Sequence, residues 1–278
     1  MKKDKNEFRR KGQAMKEKMR RAGFAAIFFL LAVMLFAFPV SAKKSYSEQW
    51  VMNAKGNVSY YDANGKKLKG MQKIGKKYYY FDSRGIQRTG WQKIKGNYYY
   101  FQIANKAKGS RVGSKTINGI KLRKNGKAKL NAYSKRKLAL MVRANKIIES
   151  ITNAKMTKKQ KLEAAFAYTK QHLQSYNRGG FQSGGDWDMF YAEIPFNTGR
   201  ADCYSYGAYF AYLANAAGGK AAAVSSGGHG WAEVDGLVYD ANWAKASHVD
   251  TYCGMSYSLS GVGGRPNYRP NRRYVKAI

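Results

Sequence analysis

The chain repeats itself with a period of 20 residues, and that period limits what its first half can become. Met71-Gln-Lys-Ile-Gly-Lys-Lys-Tyr-Tyr-Tyr-Phe81 returns as Trp91-Gln-Lys-Ile-Lys-Gly-Asn-Tyr-Tyr-Tyr-Phe101. Upstream, Tyr61-Asp62, Gly65 and Gly70 match Phe81-Asp82, Gly85 and Gly90, and a degenerate copy follows at 117–122 with Asn125-Gly126. A unit this short cannot bury a core alone, so neighbours must stack their aromatic side chains on one another. Each unit reads as a hairpin: a strand at 92–94, a turn at Lys95-Gly96-Asn97 and an aromatic strand at 98–101.

The run Gly-Trp-Gln-Lys-Ile-Lys-Gly-Asn-Tyr-Tyr-Tyr-Phe at 90–101 resembles the cell-wall-binding repeats of Gram-positive surface proteins, the group that includes choline-binding and glucan-binding modules. The resemblance implies a β-solenoid-like hairpin array over 43–130 that holds choline or a glycan of the bacterial cell wall. Aromatic rings cage a quaternary ammonium by cation–π attraction or stack on sugar faces. Tyr78, Tyr80, Trp91, Tyr98 and Tyr100 are the expected ligand-binding residues. Only the unit at Trp91 has the tryptophan, with Met71 and Val51 at the same period elsewhere, so this small array is expected to bind weakly or to need help from charge.

Charge is abundant. Lys and Arg number 51 against 16 Asp and Glu, a formal net charge of +35. Residues 1–21 are strongly basic, 23–38 almost wholly apolar, and Pro39-Val-Ser-Ala42 offers the small residues of a cleavage site, the layout of a secretory signal at 1–42. The apolar run falls short of the roughly 20 residues of a comfortable membrane span, so cleavage after Ala42 is expected. An uncleaved membrane anchor is the alternative. Cleavage removes 10 basic and 3 acidic residues and leaves 41 against 13, or +28. Such a charge predicts attraction to a polyanion, and outside a cell that means anionic wall polymer or lipid headgroups. No nucleic-acid-binding motif occurs.

From Lys129 onward the pattern turns helical. Residues 133–151 carry Leu138, Met141, Val142, Ile147 and Ile148, and 157–173 carry Leu162, Ala165, Phe166 and Thr169 behind a Thr157 N-cap. After Asp202, a further N-cap, Cys203 opens a helix in which Tyr206, Phe210 and Leu213 recur at helical spacing and Gly218 is the stop. A cysteine there meets the positive end of the helix dipole. Residues 229–234 and 237–240 read as two strands around the hairpin dipeptide Asp235-Gly236. In that register Val234 faces Leu237 and Trp231 faces Asp240, so His229 lies diagonal to Asp240 on one face, roughly 7–8 Å away between backbones. A thiol becomes a good nucleophile when an imidazole takes its proton, and a carboxylate holds the imidazole in the useful tautomer.

A cysteine opening a helix, a His-x-Trp strand and an aspartate ending the next strand resemble the transglutaminase-like superfamily of papain-type cysteine enzymes. For 131–278 the resemblance implies an α+β, papain-like domain with Cys203 as nucleophile, His229 as general base and acid, and Asp240 as orienting carboxylate. It implies acyl transfer on a protein or peptide amide: a thioester forms, and an amine (crosslinking) or water (proteolysis or amidase action) resolves it. The site also needs an oxyanion donor and cleft walls, for which Trp187 and Tyr191, beyond the glycine-rich stretch 179–185, are the choices.

Two alternatives stay open. A Cys203–Cys253 disulfide would silence the nucleophile, and the fold can persist as a non-catalytic wall-binding protein. His172 reads as structural, near a helix end, and His248 has no evident partner. No Cys/His cluster has metal-ligand spacing and no phosphate loop or dinucleotide fingerprint occurs, so no cofactor is expected. The chain as a whole reads as a secreted, wall-associated cysteine enzyme.

Overall fold

The computed structural model describes residues 13, 15–17, 46–104, 108–177, 179–271 and 273–278. The chain divides into Met1–Ser45 and Tyr46–Ile278. In the first unit Gln13, Met15, Lys16 and Glu17 are helical and exposed, while the apolar run and cleavage site expected at 23–42 lie outside the described residues. Among the described residues no helix is long and apolar enough to cross a membrane.

The second unit begins with four antiparallel hairpins: β1–β2 (Gln49–Met52, Val58–Tyr61), β3–β4 (Gly70–Ile74, Lys77–Phe81), β5–β6 (Gly90–Ile94, Asn97–Phe101) and β7–β8 (Thr116–Ile117, Ile120–Lys121). The linkers repeat as well. Asp62 Oδ1 accepts the amides of Asn64 and Lys66, and Asp82 Oδ1 those of Arg84 and Ile86, the self-bonding that makes Asp a turn former. From the second hairpin on, the linker that follows each hairpin bonds back to the hairpin before that one: the amides of Gln87, Arg111 and Ala128 donate to the carbonyls of Val58, Tyr78 and Tyr98 at 2.7, 2.7 and 2.9 Å. That recurring bond stacks the units.

Two details differ from the sequence reading. The third turn is the two-residue Lys95-Gly96, both at positive φ (48° and 78°), so Asn97 belongs to the strand and pairs with Ile94. The first hairpin, from Gln49 to Tyr61, is one residue longer than the second, from Gly70 to Phe81, and the extra residue sits in its loop. Trp50 therefore pairs with Tyr60 as Met71 does with Tyr80 and Trp91 with Tyr100. Trp50, rather than Val51, is the counterpart of Trp91.

The C-terminal half is α+β. Its helices are α1 (Ala132–Ile151), α2 (Lys158–His172), α3 (Trp187–Thr198), α4 (Cys203–Ala216) and α5 (Ala241–Ser247). Two short strands, β9 (Gln174–Ser175) and β10 (Arg200–Ala201), pair in parallel. The remaining strands are β11 (Ala221–Ser225), β12 (Gly230–Val234), β13 (Leu237–Tyr239), β14 (Cys253–Met255) and β15 (Tyr274–Ala277). They form one antiparallel sheet in the order β14-β13-β12-β11-β15. Thr157 caps α2 in a reciprocal box with Gln160, and Asn131 caps α1 in the same way with Ser134. Helix α3, which the periodicity did not show, stops at Gly199 in the left-handed region, where a glycine has no Cβ penalty.

Helix α4 is the centre of the half, packed between β11 and β12 on one side and α1, α2 and α3 on others. Its buried tyrosines keep their hydroxyls satisfied: Tyr204 donates to Gly227 O, Tyr206 to Leu173 O and Tyr212 to Asp188 Oδ2, at 2.8, 2.9 and 3.0 Å. The array shares this core, since Trp91 and Tyr98 are buried in the same apolar cluster as α1 and α4. Polar contacts reinforce the seam, with Arg88 paired to Glu149, Asn145 Nδ2 donating to Thr89 O and Asn118 Nδ2 to the carbonyl of Ile278. The hairpin array from Tyr46 onward and the region 131–278 thus meet across a packed seam within a single unit.

Candidate active site and array junction

Two glycines bring the cysteine helix onto the histidine strand. A Cβ built on Gly207 would stand 2.6 Å from the carbonyl oxygen of Trp231, and one on Gly230 would stand 2.6 Å from the Cα of Tyr204. Neither position has room for a side chain, and the close crossing of α4 and β12 places Cys203 beside His229. The Cys203 thiol stands near enough to the His229 ring to act on its protonation.

The hairpin carries the third group. Val234 pairs with Leu237, Glu233 with Val238 and Ala232 with Tyr239, around Asp235 and Gly236 at φ 51° and 82°. One step further, Asp240 leaves the strand and caps α5, its Oδ1 accepting the Trp243 amide at 2.8 Å. Its Oδ2 lies 2.5 Å from His229 Nε2 and accepts the Tyr268 hydroxyl at 2.8 Å. A carboxylate only accepts, so Nε2 carries its hydrogen and Nδ1 is the ring nitrogen left for Cys203. The structure therefore brings Cys203, His229 and Asp240 together.

Burial shapes the electrostatics. On its own it would push the His229 pKa down, but the charge and hydrogen bond of Asp240, joined by Cys203, outweigh it and raise the ring to about 10. Burial, followed by the Asp240 charge and hydrogen bond, holds the Tyr268 hydroxyl well above its ordinary range. Cys253 sits on β14 opposite Tyr239, and neither cysteine is bridged. Burial, with Glu163 and Asp250 nearby, pushes the Cys253 thiol up to about 12.

Cys203 faces a groove lined by Ser175, Tyr176, Asn177, Asp202, Tyr204 and Asn242. Asp202 takes two first-turn amides of α4, Ser205 through Oδ1 at 2.7 Å and Tyr206 through its carbonyl at 2.9 Å. The Tyr204 amide is packed under Gly230. The remaining first-turn amide is that of Cys203 itself.

Trp187 and Tyr191 do not wall this groove. They are 3% and 1% exposed and pack with Phe181, while the Tyr191 hydroxyl accepts the Gln182 amide at 2.9 Å. Helix α3 turns them into the core, where large aromatic surface is most stabilising. Sequence reasoning missed Tyr268, Tyr176 and Asn242. The first lies in a Gly/Pro/Asn-rich segment without period, and the others are loop or helix-start residues whose placement depends on the tertiary fold. His172 stacks on Tyr168 with centroids 3.8 Å apart, and His248 terminates α5 in the left-handed region. Among the described residues no three His, Cys, Asp or Glu side chains converge as a metal site.

In the array the expected ligand-binding residues divide. Trp91 and Tyr98 are 3% and 5% exposed, and Trp91 Nε1 donates to Asn118 Oδ1 at 2.9 Å, so both are closed off by the fourth hairpin and the helices. Tyr100 packs edge-on against Trp91, and burial raises its hydroxyl to about 12. Tyr80 stacks on Phe101, and the Arg111 guanidinium lies 4.2 Å over the Tyr78 ring, on a face a ligand cation would need. The open aromatic junction is one repeat earlier. Trp50, 40% exposed, meets Tyr60 and Tyr79 edge-on at 5.1 and 4.9 Å, with Phe81 behind.

Residues 68–109 match the choline-binding repeat family, so hairpins β3–β4 and β5–β6 are choline-binding-type repeats. Similar solved structures include choline binding protein F from Streptococcus pneumoniae, 30% identical over 30% of this chain and 28% of that one, with a TM-score of 0.27. The choline binding domain of Spr1274 in Streptococcus pneumoniae is 20% identical over 31% of this chain and 99% of that one (TM-score 0.28). A truncated alternansucrase from Leuconostoc mesenteroides is 29% identical over 24% of this chain and 6% of that one (TM-score 0.22). None of these TM-scores indicates a shared overall fold. No curated protein matches the chain. The family match ends at residue 109, upstream of Cys203.

Proposed function

We propose that the chain is an exported protein that attaches to choline-bearing cell-wall polymer through its hairpin array. The family match over 68–109 carries this reading. Trp50, Tyr60 and Tyr79 are suited to a quaternary ammonium, because three ring faces and edges around one exposed opening attract a cation that water solvates poorly. The net charge, +35 for the whole chain and +28 once residues 1–42 are removed, adds attraction to an anionic polymer that bears the choline. The test is retention of the full chain on immobilised choline and its release by free choline. Passage without retention overturns the reading, and Trp50→Ala should pass through even where the wild type is held.

A second activity is favoured by one observation, the 2.5 Å contact of His229 Nε2 with Asp240 beside Cys203. The comparisons support wall binding better than catalysis, so this reading rests on geometry. In it, His229 Nδ1 takes the Cys203 proton while Nε2–H stays on Asp240, and Sγ attacks an amide carbonyl lying in the groove. The Cys203 amide at the helix N-terminus faces the developing oxyanion. The C–N bond breaks as the imidazolium returns its proton to the departing nitrogen, leaving a thioester. Water or an amine then gives a proton to His229 and takes the acyl group, and the thiol is regenerated. The transglutaminase-like, papain-type reading of 131–278 belongs to this proposal. Incubation with glutamine-containing peptides, with and without a primary amine, distinguishes hydrolysis, amine adduct and no reaction by product mass. No reaction, together with unselective labelling of the two cysteines, leaves the wall-binding protein alone.

A further inference from the structure

Tyr268 lies in the segment before the last strand and has no part in the chemistry above. Its side chain is fully buried, with its ring edge-on to Trp231 at 5.1 Å and 6.2 Å from the His229 ring. Its hydroxyl donates at 2.8 Å to Asp240 Oδ2, the oxygen that also meets His229 Nε2 at 2.5 Å. The backbone that presents it is fixed, since its amide donates to Ser260 Oγ at 2.7 Å and the Gly261 amide closes the loop onto Pro266 O at 3.1 Å. On either side of the segment, Tyr257 and Arg273 anchor it to β12 through Glu233, at 2.7 and 2.9 Å.

We propose that Tyr268 is a positioning residue for the cysteine–histidine pair, one that shares Asp240 Oδ2 with His229 and so sets the direction of the ring and the strength with which the carboxylate holds the imidazolium. The proposal rests on the catalytic reading of Cys203 and His229. With the Trp243 amide on Oδ1 and two donors on Oδ2, the carboxylate cannot rotate without giving up a bond, and a buried bond to a charged group is among the strong ones. The hydroxyl also draws negative charge away from the side that faces His229. It remains a donor throughout the working range, because burial and Asp240 both oppose its ionisation. The other titratable or charged groups here are Cys203, which faces His229 from α4, and Tyr252 and Arg265 beside Tyr268.

The test is the rate at which iodoacetamide alkylates Cys203 in the full chain as a function of pH, read on the Cys203 peptide by mass. Tyr268→Phe keeps the ring and removes the donor, so the charge on Asp240 concentrates toward His229. The upper limb of the profile, where the imidazolium loses its proton, should rise by about one pH unit. Difluorotyrosine at position 268 is a stronger donor of nearly the same size and should move that limb down. If Tyr268→Phe loses its cooperative thermal transition, the difluorotyrosine protein decides alone: a downward shift supports the proposal and no shift overturns it. A Tyr268→Phe profile that overlies the wild type, where Asp240→Asn shifts it, removes Tyr268 and leaves the triad standing. Profiles unmoved by Asp240→Asn and His229→Ala remove the catalytic reading, and this inference with it.

Discussion

Gly230 lies so close to Tyr204 that a Cβ on it would stand 2.6 Å from the Tyr204 Cα and 2.9 Å from its nitrogen. Both atoms are main chain, so no side chain can swing aside and α4 itself would have to move. Gly230→Ala should cost about 1–3 kcal/mol by overpacking and carry Cys203 away from His229. Gly228→Ala, which meets nothing within 4 Å, is the control. Thermal midpoints that coincide in the two variants would show that the crossing is not tight.

The two cysteines should differ in reactivity. The Cys253 thiol is pushed up to about 12 by burial and by the acids Glu163 and Asp250, which leaves it almost entirely protonated near neutral pH. Cys203 stands at a helix start, in a groove, with an imidazole to take its proton. Brief alkylation at neutral pH should label Cys203 first by a wide margin. Equal labelling counts against the site.

Local signals carried much of this arrangement in the sequence. Asp235-Gly236 set the register that puts Asp240 diagonal to His229, because a two-residue turn with both residues at positive φ leaves one pairing available. Asp202 and Thr157 are caps because their oxygens satisfy amides three residues on. Tyr268 was illegible, since its partner lies 28 residues away through an aperiodic loop. The aromatic repeats misled for a different reason: a Tyr-Tyr-Tyr-Phe run shows stacking potential but not which junction another element fills. Asn118 and the helices close the Trp91 junction, and a one-residue longer loop hid Trp50 from a fixed period.

That division between tryptophans is measurable. Trp91→Ala removes a ring from the shared core and should cost about 3–5 kcal/mol. Trp50→Ala empties an exposed junction and should leave the thermal midpoint within a few degrees of the wild type while abolishing retention on choline. Loss of retention by Trp91→Ala at a temperature where it remains folded, with Trp50→Ala still bound, would reverse the assignment.

Stability should also carry a trace of His229. The fold raises its pKa to about 10 from an ordinary 6.5, so the native state holds this proton more tightly than the unfolded chain. The resulting stabilisation is complete below about pH 6.5 and is lost as pH climbs through about 10. Urea unfolding at several pH values, wild type against His229→Gln, should show the wild-type advantage shrinking across that window. A constant gap means that the ring is not charged in the native state.

Asp240 and Asp235 lie on the same hairpin and should respond differently to the same change. Asp240 is 1% exposed and serves three donors, whereas Asp235 is exposed in the turn, accepting the Lys220 amide at 3.1 Å and pairing with Lys158 at 2.8 Å. Asp240→Asn can keep the cap on Trp243, since Asn caps as well as Asp. Its amide nitrogen must then replace Oδ2, and it offers hydrogens to His229 and Tyr268 where both need an acceptor. The buried mismatch should cost about 1–3 kcal/mol. It also removes the charge that holds the imidazolium and leaves burial to push the ring down. Turnover should fall by about 10² to 10³, less than the roughly 10⁴ described for the equivalent change in a serine triad, because a thiol is far more acidic than a serine hydroxyl. Asp235→Asn forfeits one exposed ion pair worth about 0–1 kcal/mol and should leave turnover intact. Turnover on a glutamine peptide and the thermal midpoint, measured for all three proteins, decide the matter. Activity unchanged in Asp240→Asn, or lost equally in Asp235→Asn, would remove Asp240 from the site.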